Sequence, residues 1–252
     1  MKAKYQMYVK VFMLLFLISG ILTTQSFAQD SGQSLSKSNL KIFVQYKLAK
    51  AKLLTNDNIK VDIDDNKIIL SGTVPTIYAK NQAETETRSV DENYLVINNL
   101  KVESQTTSDL ELTNQILKKI QSNTIYSVFD WLTVSSNNGV VTLDGWVHLP
   151  WLKDQFQSEV EKISGVKSVI NKIQNTFGPG EIGFRAARLI YNDPMFWGTQ
   201  YSVNPPIHII VNNATVYLYG TVNSEAEKSW AANIISFKTD AFSVENYLEV
   251  RK

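Results

Sequence analysis

The sequence predicts an α+β protein built from three tandem αββαβ modules behind a signal peptide. Three observations carry this reading. A Leu-x-Gly-x-Val element recurs three times at nearly constant spacing, around Gly72, Gly145 and Gly220. Each copy is preceded by a short apolar strand and an Asn/Asp/Gly turn, and each is flanked by helical periodicity on both sides. The first 28 residues have the charge and hydropathy pattern of an export leader.

The leader comes first. Lys2, Lys4 and Lys10 make a positive start, Val11 to Leu22 an apolar stretch, and Ser26-Phe27-Ala28 a small-residue cleavage site. The apolar stretch of about a dozen residues is short of the ~20 that cross a bilayer, so residues 1–28 are expected to be removed. The 252-residue chain carries 25 basic and 24 acidic residues. Loss of those three lysines leaves 22 against 24, a charge of −2. This balance argues against a nucleic-acid partner, which selects a clear basic excess. With no cysteine, disulfides and thiolate metal sites are excluded. The modules must therefore hold together by burial alone, and an apolar content of 44% allows it.

The first module is placed at residues 35–103. Leu40, Phe43, Val44, Leu48 and Ala51 fall on one helical face. Ile59–Ile63 and Ile68–Val74 are strands joined by Asp64-Asp65-Asn66, residues that accept the backbone angles of a tight hairpin. Pro75-Thr76 opens a second helix, and Tyr94–Ile97 is the closing strand. The second module is placed at 108–177. Ser108 and Glu111 have capping-box spacing ahead of Leu112, Ile116 and Ile120. Leu132–Ser135 and Val140–Val147 form the hairpin around Asn137-Asn138-Gly139, Pro150 opens the next helix, and Val166–Ile170 closes. The third is placed at 181–252. Ile182, Ala186, Leu189 and Ile190 carry a helix ended by Asp193-Pro194. Ile207–Val211 and Thr215–Val222 follow, then a helix capped by Ser224 and Glu227, then Phe242–Leu248. Three strands per module suit one mixed sheet with both helices on one face.

The glycines are separated by 73 and 75 positions. A missing Cβ near the end of the central strand permits a bulge or a close backbone approach, so Gly72, Gly145 and Gly220 are read as structural. The linkers around Ser104–Thr107 and Gly178-Pro179-Gly180 are short, and the modules are expected to lie close together.

This element order, with Leu-x-Gly-x-Val ahead of the second helix and a Gly-Val-x-x-Val-x-Asn-x-Ile close, resembles the BON family. Gly165-Val166-Lys167-Ser168-Val169-Ile170-Asn171-Lys172-Ile173 carries the closing motif most fully. Glu92–Leu100 lacks the opening glycine, and Thr239-Asp240-Ala241-Phe242 replaces that opening in the third copy. The resemblance implies a periplasmic or envelope protein linked to osmotic or envelope stress and to binding of phospholipid or another envelope component. It brings no catalytic residue.

The residues themselves point the same way. His148 and His208 are the only histidines, and neither has a second ligand at metal spacing or a nucleophile motif beside it. Asp62, Asp64 and Asp65 lack the glycine and glutamate of a calcium loop and read as a solvated turn. No catalytic residue, metal or cofactor is assigned. Candidate contact residues fall in three places. Lys37 and Lys41 open a run with Lys47, Lys50 and Lys52 that contains no acid, suited to anionic headgroups. Ile42 and Tyr46 begin a second apolar stripe on that helix, suited to a neighbouring module or a protein partner. Trp146 and Trp151 bracket a strand–helix turn, while Phe196 and Trp197 sit with Met195 and Tyr201 in a long connection. The partner is expected to be a phospholipid surface or, alternatively, an envelope assembly in which the chain is a scaffold.

Overall fold

A computed structural model describes residues 36–54, 58–103, 107–197 and 204–251. The leader, with its cleavage site at Ala28, lies outside them, as does Tyr201. The first module runs α1 (Lys37–Lys50), β1 (Ile59–Asp64), β2 (Lys67–Val74), α2 (Ile77–Arg88) and β3 (Leu95–Val102). The second runs α3 (Asp109–Gln121), β4 (Trp131–Asn137), β5 (Val140–Val147), α4 (Leu152–Glu161), β6 (Ser168–Asn171) and β7 (Gln174–Asn175). The third runs α5 (Gly180–Tyr191), a 3₁₀ turn (Pro194–Phe196), β8 (Ile207–Asn212), β9 (Thr215–Val222), α6 (Glu225–Lys238) and β10 (Ser243–Val250). Each sheet has the hairpin's second strand at its centre. That strand is antiparallel to the first and, in the second and third modules, parallel to the last.

The chain divides into two compact units. One holds most of the first module; the other holds residues 75–78 and 102–252. In the first, Leu40, Val44 and Leu48 of α1 are fully buried with Ile68 and Leu70 of β2. Phe43 lies at the margin of that stripe and stays partly exposed, because three residues on from Leu40 is the edge of the face. In the second unit the same i, i+4, i+8 spacing buries Leu112, Ile116 and Ile120. Phe156 and Val160 of α4 meet them across Val141 and Leu143. Ala186 and Ile190 of α5 join Val216, Leu218 and Ile235 in the third core.

Local chemistry fixes the element ends. Ser108 Oγ accepts from Glu111 N at 3.2 Å, and Ser224 Oγ accepts from Glu227 N at 3.1 Å. Glu227 returns the bond to Asn223 N at 2.8 Å, one residue before the cap. Asn138–Gly139 and Asn213–Ala214 turn their hairpins with both residues at positive φ, as a two-residue loop between right-twisted strands requires.

The three glycines occupy one and the same place. Their φ angles are +123°, +118° and +112°. A Cβ would stand 2.0 Å from the carbonyl oxygen of Asn58, 2.1 Å from that of Trp131 and 1.9 Å from that of Pro206. A close backbone approach is present at this position in every module.

A second repeated device holds the closing strand to the second helix. Asn98, Asn171 and Asn246 each donate Nδ2 to a helix carbonyl eighteen residues earlier: Lys80 at 2.9 Å, Lys153 at 3.1 Å and Lys228 at 2.8 Å. Each also accepts through Oδ1 from the backbone N–H two residues later. In the second module alone the last strand is split, just beyond Asn171, into β6 and β7. Asn171→Ala removes three hydrogen bonds, the third to Gln157, from a half-buried site. It is expected to cost about 2–3 kcal/mol at roughly 1 kcal/mol per bond, read from chemical unfolding curves. Asn98→Ala, which also loses a third bond, to Glu84 at 3.2 Å, is expected to do the same in its module, and Asn246→Ala, which loses two, to cost about 2 kcal/mol.

Candidate contact surfaces

On α1, Lys41 pairs with Asp62 at 3.4 Å and Lys37 with Asp65 at 3.7 Å. The acidic turn and the basic helix, separate features of the sequence, are two sides of one surface. These exposed pairs are worth at most about 1 kcal/mol each, yet they offset two of the five lysines. Ile42 and Tyr46 are half-buried.

In the second unit the aromatic residues separate into three environments. Trp131 and Trp146 face each other across β4 and β5 on the side of the sheet away from the helices. There they meet the corresponding side of the third sheet. Trp131 stacks on Tyr219 at 5.5 Å, Tyr219 on Tyr247 at 5.2 Å, and Trp146 on Tyr217 at 6.4 Å. The Trp146 indole also hydrogen-bonds Tyr219, and burial raises the Tyr219 pKa. Trp146, expected as an outward contact, is therefore committed to packing between the second and third modules. Strand β8 shows the consequence: Ile207, His208, Ile209 and Ile210 are all buried, so both of its faces are covered.

The edge of β8 is covered as well. Ile209 N donates to Val128 O at 2.7 Å, and His208 Nδ1 lies 3.2 Å from Ser127 O. The His208 ring sits between Tyr126 at 5.3 Å and Trp131 at 5.2 Å. Burial holds its pKa below 6.5, against the opposing pull of the Asp130 and Ser127 carbonyls and the Asp130 charge. Tyr126 reaches back into its own module, edge-on to Phe156, with its hydroxyl accepting from Leu132 N. Burial raises its pKa.

Asp130 organises this joint and is fully buried. One carboxylate oxygen accepts from Ser127 N at 2.9 Å and Ser127 Oγ at 2.8 Å. The other accepts from His148 N at 2.9 Å and lies 2.8 Å from His148 Nδ1. Serine, aspartate and histidine thus converge, but the hydroxyl is spent on the carboxylate and not on the imidazole. A nucleophilic triad needs the histidine between the other two, so this cluster ties a turn to a strand end. Among the described residues no group of three His, Asp or Glu is placed to hold a metal.

Phe196, also expected as a contact, is 2% exposed and belongs to the third core. The 3₁₀ turn capped by Asp193 drives it inward. Its neighbour Trp197 is 65% exposed and Trp151 53% exposed. Trp230, Phe237 and Phe242, exposed on α6 and the turn after it, are not among the contact residues read from the sequence. The available signal was an apolar residue standing off the helix periodicity.

The BON domain family matches residues 37–104, 108–175 and 200–252, one match per module. The chain belongs to the BON domain family and carries three tandem copies. No curated protein matches it in sequence. Among solved structures, the C-terminal domain of CdsD, described as the structural protein of the Type III secretion system of Chlamydia trachomatis, is 9% identical. That match covers 86% of this chain and 100% of that one, with a TM-score of 0.26. A second CdsD structure is 10% identical over 84% of this chain and 92% of that one, also at 0.26. No helix among the described residues is long and apolar enough to cross a membrane.

Proposed function

We propose that this chain is a non-catalytic binding protein of the bacterial periplasm or envelope, exported by cleavage near Ala28. Its partner is a phospholipid surface or another envelope component, in protection against osmotic or envelope stress. The observation that supports this most is the threefold BON repeat behind an export leader. The exposed Trp151 and Trp197 and the lysines of α1 supply surfaces of fitting chemistry. Co-sedimentation of the chain from Gln29 onward with vesicles at low salt tests the reading. Binding to anionic or neutral vesicles is expected; absence from both pellets refutes a lipid partner.

The second reading is a scaffold within an envelope assembly, and the half-buried Ile42 and Tyr46 on α1 favour it. Ile42→Ser with Tyr46→Ser would then abolish assembly while vesicle binding persisted.

A further inference from the structure

The third module presents aromatic rings to solvent where its own fold has no use for them. Phe237 is 81% exposed and Phe242 87% exposed. Both stand at positions that the second module fills with lysine. The repeat offset of 75 residues, the same that relates Gly145 to Gly220 and Asn171 to Asn246, pairs Phe237 with Lys162 and Phe242 with Lys167. The backbone agrees: Lys167 N donates to Gly139 O, and Phe242 N donates to the equivalent Ala214 O, both at 2.8 Å. The second module has a surface lysine at either place, Lys162 pairing with Glu159 at 2.7 Å and lying over the Tyr78 ring, so neither phenylalanine is there for the core.

The turn that carries them is pinned. Thr239 Oγ1 donates to Ile235 O at 2.8 Å and accepts from Ala241 N at 3.2 Å. Asp240 is tied to Arg185 of α5 at 3.1 Å. Trp230 lies seven residues before Phe237, two turns along the same side of α6. Its indole N–H donates to Asp193 at 3.0 Å, which draws it to the turn bearing Trp197. Trp230, Phe237 and Phe242 therefore run along α6 and into the turn after it, and the Asp193 bond brings the turn bearing Trp197 to Trp230. Between Trp230 and Lys238 there is no carboxylate, and Lys238 is the sole charge.

We infer that this outer side of α6 and its following turn form a surface that lies in the lipid–water interface of a membrane. The inference rests on the proposed phospholipid reading and assigns it a place in the third module. Exposed ring tips on a pinned turn need no matching pocket in a fluid interface, whereas a protein partner would have to supply one. Indoles at the flank of such a stripe sit at headgroup level, and Lys238 meets phosphate.

The test compares the chain from Gln29 onward with its Phe237→Ser/Phe242→Ser form on vesicles of phosphatidylcholine, alone and with phosphatidylglycerol. The substitution is expected to weaken partitioning about tenfold or more on both compositions, since each ring contributes by apolar burial. It should also relieve quenching of tryptophan fluorescence by brominated lipid. Phe237→Lys/Phe242→Lys, which copies the second module, is expected to lose binding to phosphatidylcholine. Unaltered unfolding curves for both variants would show the fold intact. Wild-type binding by the serine form would overturn this assignment while leaving a lipid role to other surfaces, such as α1. Failure of the unmodified chain on both compositions would sink the phospholipid reading and this surface together. Dissociation of a dimer by the serine form, with vesicle binding unchanged, would assign the stripe to self-association and overturn the inference.

Discussion

Gly145→Ala is expected to lower the stability of the second module by about 3–5 kcal/mol, the range reached when a substitution has no conformation free of strain. Two penalties coincide. The backbone at φ +118° disfavours an L side chain by about 1–3 kcal/mol. The new Cβ would also stand 2.1 Å from the Trp131 carbonyl oxygen, far inside contact distance. Relief would require β4 to move away from β5, and Trp131 and Leu132 are fixed there by the aromatic stack and the core. Asparagine, often tolerated at positive φ, should fail equally because the collision begins at Cβ. Gly178 is the matched control. It has φ +105° with nothing within 4 Å of a built Cβ, so Gly178→Ala should carry the backbone penalty alone, about 1–3 kcal/mol. Urea unfolding of the two variants separates collision from backbone preference. Equal small shifts in both would refute the close-approach account.

Acid is expected to loosen the joint between the second and third modules through His208. Its folded pKa is depressed by burial, so below pH 6.5 the unfolded chain takes up the proton more readily than the folded one. Stability is then fully present above the unfolded value of 6.5. It falls as pH drops from there to the folded value, by up to about 1.4 kcal/mol per pH unit. The ring cannot be solvated in place, because it is buried beside Tyr126 and Trp131. The one nearby carboxylate, Asp130, is already engaged with Ser127 and His148. Stability measured between pH 7 and 5 should carry this slope in the unmodified chain and lose it in His208→Gln. An undiminished slope in the variant would place the proton uptake elsewhere.

Much of the fold was legible because each module repeats local signals. The glycine, the turn residues and the i, i+4, i+8 stripes of Leu112, Ile116 and Ile120 act within a few residues, and periodicity reports them directly. Asn171 was visible in the closing motif, but its bonds to Lys153 O and Ile173 N depend on where the second helix lies. Contact surfaces were harder. An aromatic residue on the open side of a sheet reads alike whether solvent, lipid or another module covers it. Trp146 therefore pointed outward on paper and packs against Tyr217 in the structure. One clue was present: Ile207-His208-Ile209-Ile210 breaks the alternation of a one-sided strand, as a strand buried on both faces does. Phe196 misled for a different reason, since a loop residue has no periodicity from which to read its direction.

The cover that β8 receives from Val128 and from the rings around it limits how this gene can be rearranged. The three modules share one plan, but the last two depend on each other for cover and act as a single piece. Deleting the final repeat would bare Trp131 and Trp146, and transplanting it alone would leave an apolar strand edge open to association with other chains.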